Sequence, residues 1–464
     1  MTNTEAPDTV SELDRDDRLR PDFVAAVLEA VQDDRDQDAR ALVEPLHPAD
    51  IADLFELLPQ DCRTGLARAV TDLLDGDVFA EMNEYVREDL LDKLSATELA
   101  GIAAELDTDD AVSIIEDLDA DDQREVLRAL DPDDRAAIEE ALSYPEESAG
   151  RLMQRDLVAV PQHWTVGHTI DFLRASDDLT TDFWEVFVVD TGHHPVGTCA
   201  LSWILRTPRD VPIADVMKRE QTLIAADMDQ EEVALRFQKY ALISAAVVDG
   251  SGRLVGMITV DDIVHIIQEE AGEDALLLSG AGEGDINEPL RETYAARVRW
   301  LVANLFTALV ASGIIAVFDG ALQQKIALAI LMPIVASIGG NAATQTMAVA
   351  VRALATNQLT KSNTLRTIRR EITVALMNGA TIAVLLGLAA GGFFHDAQLG
   401  LVIGTAIVIN VLVAGLAGVL VPVALERLNQ DPAVASSVFF TMVTDSMGFF
   451  AFLGLAVATG LATL

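Results

Sequence analysis

Residues 433–461 read AVASSVFFTMVTDSMGFFAFLGLAVATGL, a run long enough to cross a bilayer that carries one charged side chain, Asp445. A crossing takes about 20 predominantly apolar residues. Asp445 lies 12 residues past Ala433, which at a rise of about 1.5 Å per residue places it about 18 Å into a hydrocarbon layer about 30 Å thick. A carboxylate at that depth is unfavourable unless it faces protein or water, so such acids mark ion or proton paths. The competing reading is a protonated Asp445, hydrogen-bonded inside a packed core. Ser437 and Thr441 precede the acid at four-residue spacing and extend a polar stripe along one face of the predicted helix.

Working outward, four more stretches are long and apolar enough to span: Trp300 to Phe318, Ile326 to Val351, Ile372 to Phe394 and Leu399 to Ala424. None of the five contains Lys or Arg, so Asp445 has no basic partner within a span. The flanking bases are Arg297, Arg299, Arg352, Lys361, Arg366, Arg369, Arg370 and Arg427 on one side and Lys325 alone on the other. Bases collect on the cytosolic side, which predicts a cytosolic N-terminal region and, after five crossings, an external Leu464. The setting is a plasma or inner membrane, with the lipid bilayer as a partner.

The rest of the chain lives in another solvent. Of the 74 acidic residues, 68 precede Thr293, and they dominate a formal net charge of -42 over 464 residues. Such a surface repels nucleic acid and excludes it as a partner. Most of these acids fit a carboxylate-rich, halophile-like surface, since they outnumber any set of metal sites; the remainder are candidates for collecting divalent cations. Cys62 and Cys199 form neither a disulfide framework nor a thiolate metal site. No phosphate-binding loop or nucleophile-base-acid set occurs, and no enzymatic activity is expected.

Residues 1–20 are polar and read as a disordered acidic tail. Residues 21–147 read as short helices in tandem, a small right-angled solenoid whose breaks at Asp107, Asp119 and Asp131 recur every 12 residues. Asp at such breaks is the expected N-cap, and acidic first turns suit the helix dipole. From 148 to 261 short β-branched runs alternate with helices. VFVVD at 186–190 recurs as AAVVD at 245–249, and Leu152-Met153 as Val216-Met217, an internal repeat of about 60 residues. The repeat resembles a tandem pair of CBS domains, and the second copy is the closer match. Residues 262–295 form a connecting helix and linker, and 296–464 the five-helix membrane domain. The fold class is therefore multidomain: an α-helical N-terminal solenoid, an α/β CBS pair, a connecting helix and an α transmembrane domain.

The second span repeats the polar-stripe pattern, with Ser337, Asn341 and Gln345 four apart. Within hydrocarbon that stripe has to face protein or water; a helix-packing seam is the other reading. With one acid and no His or Cys among the spans, a soft transition metal is disfavoured. Mg2+ suits a single carboxylate, because it dehydrates reluctantly and keeps several waters. Two chains around a twofold axis would set two Asp445 side chains about one hydrated ion.

ARVRWL at 296–301, Gly339-Gly340-Asn341 with Gln345, VRALAT at 351–356, the stretch Asn410 to Pro422, and Asp431-Pro432-Ala433 with Asp445 form a set of motifs along the membrane domain. In these the chain resembles the MgtE family of magnesium channels. The resemblance implies a homodimer with a twofold pore for passive Mg2+ influx. It implies Mg2+ at Asp445, a pore lined by Ser337, Asn341, Gln345, Ser437 and Thr441, and closure when the N-terminal and CBS regions bind Mg2+. The regulatory residues would be Asp262, Glu270, Glu273 and Asp274 on a plug helix, shared with Asp431. Like charges on successive turns repel unless a cation intervenes. His265 stands where the family often has an acid, and Ser437 where it often has an amide. ATP binding between CBS modules occurs in the family; the first module here diverges, with Ala200-Leu201-Ser202 opposite Thr259-Val260-Asp261, and ATP is not carried over. Passage of Mn2+, Co2+ or Ni2+ is left open. Two rivals remain: a cation-coupled exchanger, which calls for a second ionisable group deep in a span, and a membrane-anchored CBS sensor, which needs no polar stripe.

Overall fold

The computed structural model describes residues 12–16, 18–175, 183–279, 286–428, 430, 432 and 436–463. The chain forms two compact units, Met1–Glu269 and Glu270–Leu464.

In the first unit, helices are short because Pro, Asp, Asn and Ser interrupt the apolar pattern every ten residues or so. They are α1 (Pro21–Gln32), α2 (Asp36–Val43), α3 (Pro48–Leu57), α4 (Gln60–Ala69), α5 (Gly76–Ala80), α6 (Glu84–Leu91), α7 (Ala96–Ala103), α8 (Thr108–Glu116), α9 (Ala120–Ala129) and α10 (Pro132–Ala141). Helices pack on neighbours one to three places along the chain, as a solenoid built from local contacts does. One core centred on Leu54, Phe55, Leu66, Phe79 and Ile114 runs through all of it. Ser95 and Glu98 form a reciprocal capping box at α7. Asp107, Asp119 and Asp131 do stand at N-cap positions, yet none accepts a cap hydrogen bond through its side chain. Two further carboxylates sit in each of those first turns, so negative charge already meets the helix dipole without a bonded cap.

The expected tail is shorter than residues 1–20. Leu13 bridges to Leu19, and Leu19 is buried in the helical core. Apolar residues on both sides of the Asp14–Arg18 turn give this segment something to bury, and 1–11 lie outside the described residues.

Two three-stranded sheets follow. The first joins β1 (Ala159–Pro161), β2 (Glu185–Val189) and β3 (Pro195–Ala200), with α11 (Val166–Ala175) and α12 (Leu201–Arg206) beside them. After α13 (Ile213–Val216), the second joins β4 (Leu223–Ala225), β5 (Ser244–Val248) and β6 (Leu254–Thr259) around α14 (Gln230–Tyr240). In both, a parallel pair is followed by an antiparallel one. The repeat seen in sequence is thus a repeat of topology. Phe187 and Val189 pack with Ala246, Leu254 and Met257 to join the two copies, and Gln154 exchanges backbone hydrogen bonds of 2.8 and 2.9 Å with Met257. The long helix α15 (Val260–Ser279) continues directly from β6.

The second unit holds α16 (Leu290–Val317), α17 (Asp319–Gln324), α18 (Ile326–Ala355), α19 (Thr364–Phe393), α20 (Ala397–Arg427) and α21 (Ser436–Ala458). Five of them, all but α17, are long and apolar enough to cross a membrane. The first starts at Leu290, earlier than the expected boundary at 296, because the basic entry Arg291–Arg299 is helical too. α20 is the central helix, with Ile403, Ala406, Ile407 and Ala414 fully buried. Its seam with α19 is made of small residues: a Cβ on Gly400 would lie 2.5 Å from the Gly387 carbonyl oxygen, so only glycine permits this approach. Broad apolar faces of α16 and α19 stay exposed, among them Leu305, Phe306, Leu385 and Leu388, as lipid-facing surfaces do. On the side predicted to be external, Lys325 pairs with Asp396, and Gln398 donates to the Thr459 carbonyl at 2.7 Å.

Candidate functional site

Asp445 lies nine residues past Ser436 in α21, about 13 Å along the helix. At 100° per residue it falls in the sector of Val438, Phe452 and Ala456, all buried, and away from the exposed Phe439, Met447 and Phe450. The acid thus turns to the bundle, is half-buried itself, and makes no hydrogen bond or ion pair with a described residue. Thr444 beside it is fully buried and bonds back to the Phe440 carbonyl at 2.8 Å. Thr441 is exposed, and the side chain of Ser437 lies outside the described residues.

On α18, Ser337, Asn341 and Gln345 are all exposed. The Asn341 amide donates to the Ser337 hydroxyl at 3.5 Å, so two of the three meet as the spacing predicts. Their sector is opposite Gly339, Ala343 and Met347, which are buried against α20 and α21. Among the described residues of one chain, no hydrogen bond joins Ser337, Asn341 or Gln345 to Asp445.

Two residues outside the predicted set belong to this region. Glu371, read in sequence as the end of a connecting run, is half-buried in α19, about 10 Å from the start of that helix. It lines a cavity of about 230 Å3 with Gln345, Thr346, Arg370 and Asn378. Asn410, noted in sequence only as part of a family stretch, is fully buried where α18, α20 and α21 meet. A larger cavity of about 750 Å3 runs along the glycine seam of α19 and α20; it is lined almost wholly by carbon and offers an ion nothing.

In the first unit Asp262 accepts hydrogen bonds from the Thr259 hydroxyl at 2.8 Å and backbone N–H at 3.3 Å. Burial, with Asp261 and Asp107 nearby, still pushes its carboxyl up to about 6. Burial and then Asp262 push Asp110 up to about 6, and raise Asp109 well above the carboxylate range. One oxygen of Asp109, Oδ1, is buried without a hydrogen-bond partner. Among the described residues no three of His, Cys, Asp and Glu converge as direct ligands would. Carboxylates that repel one another without converging, plus an orphaned buried oxygen, fit a divalent ion retaining part of its hydration shell. Asp107, Asp109 and Asp110 were legible only as helix-start residues.

Of the other predicted regulatory residues, Glu270 is half-buried and Glu273 exposed on α15. The side chain of Asp274, and Asp431 altogether, lie outside the described residues. The last turns of α15 belong to the second unit, where Leu277 and Leu278 pack against Ala343, Met347, Val351, Ala417 and Phe440.

Five helices long and apolar enough to cross a membrane, one of them carrying a lone acid turned to the bundle, joined to a helical domain and a CBS-like pair, define a multi-span membrane transport protein with a large acidic N-terminal region. The chain belongs to the MgtE family. It is 30% identical over 442 residues to the magnesium transporter MgtE of Bacillus subtilis, covering 94% of this chain and 97% of that protein. Identity to the magnesium transporter MgtE of Thermus thermophilus is 34%, over 68% of this chain and 71% of the relative. The family description "Divalent cation transporter" matches residues 332–455, "MgtE intracellular N domain" 46–147, and "CBS domain" 213–269, the second copy of the repeat. A solved cytosolic domain of the Mg2+ channel MgtE in complex with ATP is 29% identical, with a TM-score of 0.48, over 52% of this chain and 99% of that one.

Proposed function

We propose that this chain carries Mg2+ into the cell as a homodimer, by passive flow through a path whose charged point is Asp445. The observation that carries the reading is this lone acid, on the bundle side of α21, half-buried and without a base or hydrogen bond of its own among the described residues. The relatives named as magnesium transporters support Mg2+ as the cargo. Mg2+ travels with much of its hydration shell, so Asp445 supplies charge while hydroxyls and amides meet the ion's waters. Ser337, Asn341 and Gln345 face out of a single chain; in hydrocarbon they require a polar counterpart, and a second copy about a twofold axis supplies the same stripe. An inside-negative potential of 100 mV favours entry of a divalent ion by about 4.6 kcal/mol. The N-terminal region lies in the cytosol, Leu464 outside, and the membrane is the plasma or inner membrane.

Closure follows from the cytosolic acids. Mg2+ at Asp262, with Asp109 and Asp110, relieves their mutual repulsion, and Glu270, Glu273, Asp274 and Asp431 extend the same response to α15 and the inner mouth. α15 is the mechanical element, since Leu277 and Leu278 seat its end on the cores of α18, α20 and α21. The test is Mg2+ uptake into reconstituted vesicles by wild type and Asp445→Ala: uptake is lost in the variant, and undiminished uptake rejects the path.

A second reading is cation-coupled exchange, for which Glu371, one residue ahead of the expected third span and lining a cavity with Gln345, is a candidate ionisable group at the edge of a span. Exchange requires that Mg2+ uptake respond to an imposed proton or sodium gradient and that Glu371→Gln abolish the response. Uptake indifferent to both gradients leaves passive flow.

A further inference from the structure

Asn410 is the most deeply buried amide of the membrane domain among the described residues, with 0% of its surface exposed. Its Nδ2 donates to the Val335 carbonyl of α18 at 2.9 Å, across 75 residues of sequence. Its Oδ1 is buried and has no hydrogen-bond partner. Both neighbouring helices yield to it with glycine: a Cβ on Gly339 would lie 2.2 Å from Nδ2, and one on Gly448 would lie 2.7 Å from it. An amide from α20 therefore fills the space where α18 and α21 each lack a side chain.

Packing alone does not account for this choice. Leucine has nearly the same shape, and in a dry core it avoids an amide oxygen left without a donor. What leucine lacks is the hydrogen bond to Val335, which ties α20 to α18 at one rotational setting. Gly339 stands two residues before Asn341, and Gly448 three after Asp445. A rotation of either helix about this point turns the α18 stripe or the acid out of its sector. The geometry points to Asn410 as a positioning residue for the ion path: it pins α18 and, through Gly448, α21 against α20, and so fixes where Asn341 and Asp445 face. This inference rests on the transport reading above, and Asn410 touches no ion itself.

The test uses the full-length chain with Cys62 and Cys199 changed to Ser, and a reporter thiol at Asn341→Cys. Labelling of that thiol by a water-soluble reagent, in reconstituted vesicles, is compared between Asn410 and Asn410→Leu. Mg2+ and Mn2+ uptake are measured in parallel without the reporter. The leucine variant is expected to fold, to label about tenfold more slowly or faster, and to change the ratio of Mg2+ to Mn2+ uptake, the scale of a strong interhelical hydrogen bond. Asn410→Asp, whose neutral acid keeps the shape and a donor for Val335, is expected to restore both. Unchanged labelling and an unchanged ion ratio in Asn410→Leu overturn the proposal. So does a loss of melting temperature in Asn410→Leu with no change in either readout. If Asn410→Leu does not fold, Asn410→Ala, which also lacks a donor for Val335, carries the same comparison. Thiol labelling does not depend on transport, so a failure of the Asp445 path shows up separately, as undiminished uptake by Asp445→Ala.

Discussion

The acids around Asp262 and the acid at position 445 use one functional group in two solvents. In the first unit burial first, and then neighbouring carboxylates, raise the proton affinity of Asp109, Asp110 and Asp262. Repulsion there is tunable, because any cation or proton relieves it, which is what the proposed response to concentration requires. In the second unit Asp445 has no charged neighbour among the described residues, and its surroundings are the apolar sector of α21. A single charge in such a place gains nothing from crowding. In the proposed path its worth would lie in the low dielectric around it, which strengthens its attraction for a cation. On the function proposed above, clustering suits carboxylates to sensing, and isolation suits one of them to a path.

The contrast breaks first at Asp445. Asp445→Asn keeps shape and hydrogen-bonding capacity and removes only charge, and Mg2+ flux in vesicles is expected to fall about a hundredfold, the scale for losing a preorganised charge in a dry site. Asp445→Glu, which keeps the charge, should recover part of it; equal flux from Asn and Glu variants would show that charge is not what the site provides. The cytosolic cluster predicts the opposite sign. Asp110→Asn and Asp262→Asn each remove repulsion, so the Mg2+-free protein should resist proteolysis of its N-terminal region better than wild type. The Mg2+ needed for half-maximal closure should then rise about tenfold, one lost charge-assisted contact being worth about that factor. Protection by Mg2+ identical to wild type removes the cluster from the sensor.

Proton competition sharpens the same comparison. Asp110 and Asp262 are pushed up to about 6, above their unfolded values, so between those limits the folded state binds more protons than the unfolded one. Without Mg2+, stability of the soluble unit should fall as pH rises from about 4 through about 6, and added Mg2+ should flatten that slope. A slope that Mg2+ leaves unchanged separates the cluster from metal binding.

Much of this architecture was legible because each element announces itself by period or composition. The five spans follow from apolar length, and their helices match the sequence reading to within a few turns at either end. The CBS repeat was visible in VFVVD and AAVVD, and the two sheets share one topology. Asp445 stood out as a charge where none is expected. The acid cluster was hidden by abundance, because 74 acidic residues make any one of them look like surface. Only the fold brings α8 beside the start of α15. Glu371 was hidden by adjacency to Arg369 and Arg370, which made it read as part of a polar connection. Asn410 was hidden because a lone amide in an apolar run has no period; its meaning lies in two glycines, 339 and 448, that are distant in the chain.

The smallest effect belongs to an acid of the membrane domain that does have a base. Lys325 pairs with Asp396 at the end of the bundle, with side chains 28% and 23% exposed, and this hydrogen-bonded pair, with the Leu399 N–H, holds the Asp396 carboxyl below the usual range. A lowered carboxyl stabilises the fold above its unfolded pKa and loses that contribution as pH falls through the folded value. Because water reaches the pair, Lys325→Ala should lower stability at about pH 7 by no more than about 1 kcal/mol, by less at about pH 3, and should leave Mg2+ flux unchanged. Asp396 also caps α20 through Gln398 and Leu399, so it keeps partners when the lysine is gone. A large loss of flux in Lys325→Ala would mean that the Lys325–Asp396 pair, and not the solitary acid alone, governs the ion's passage.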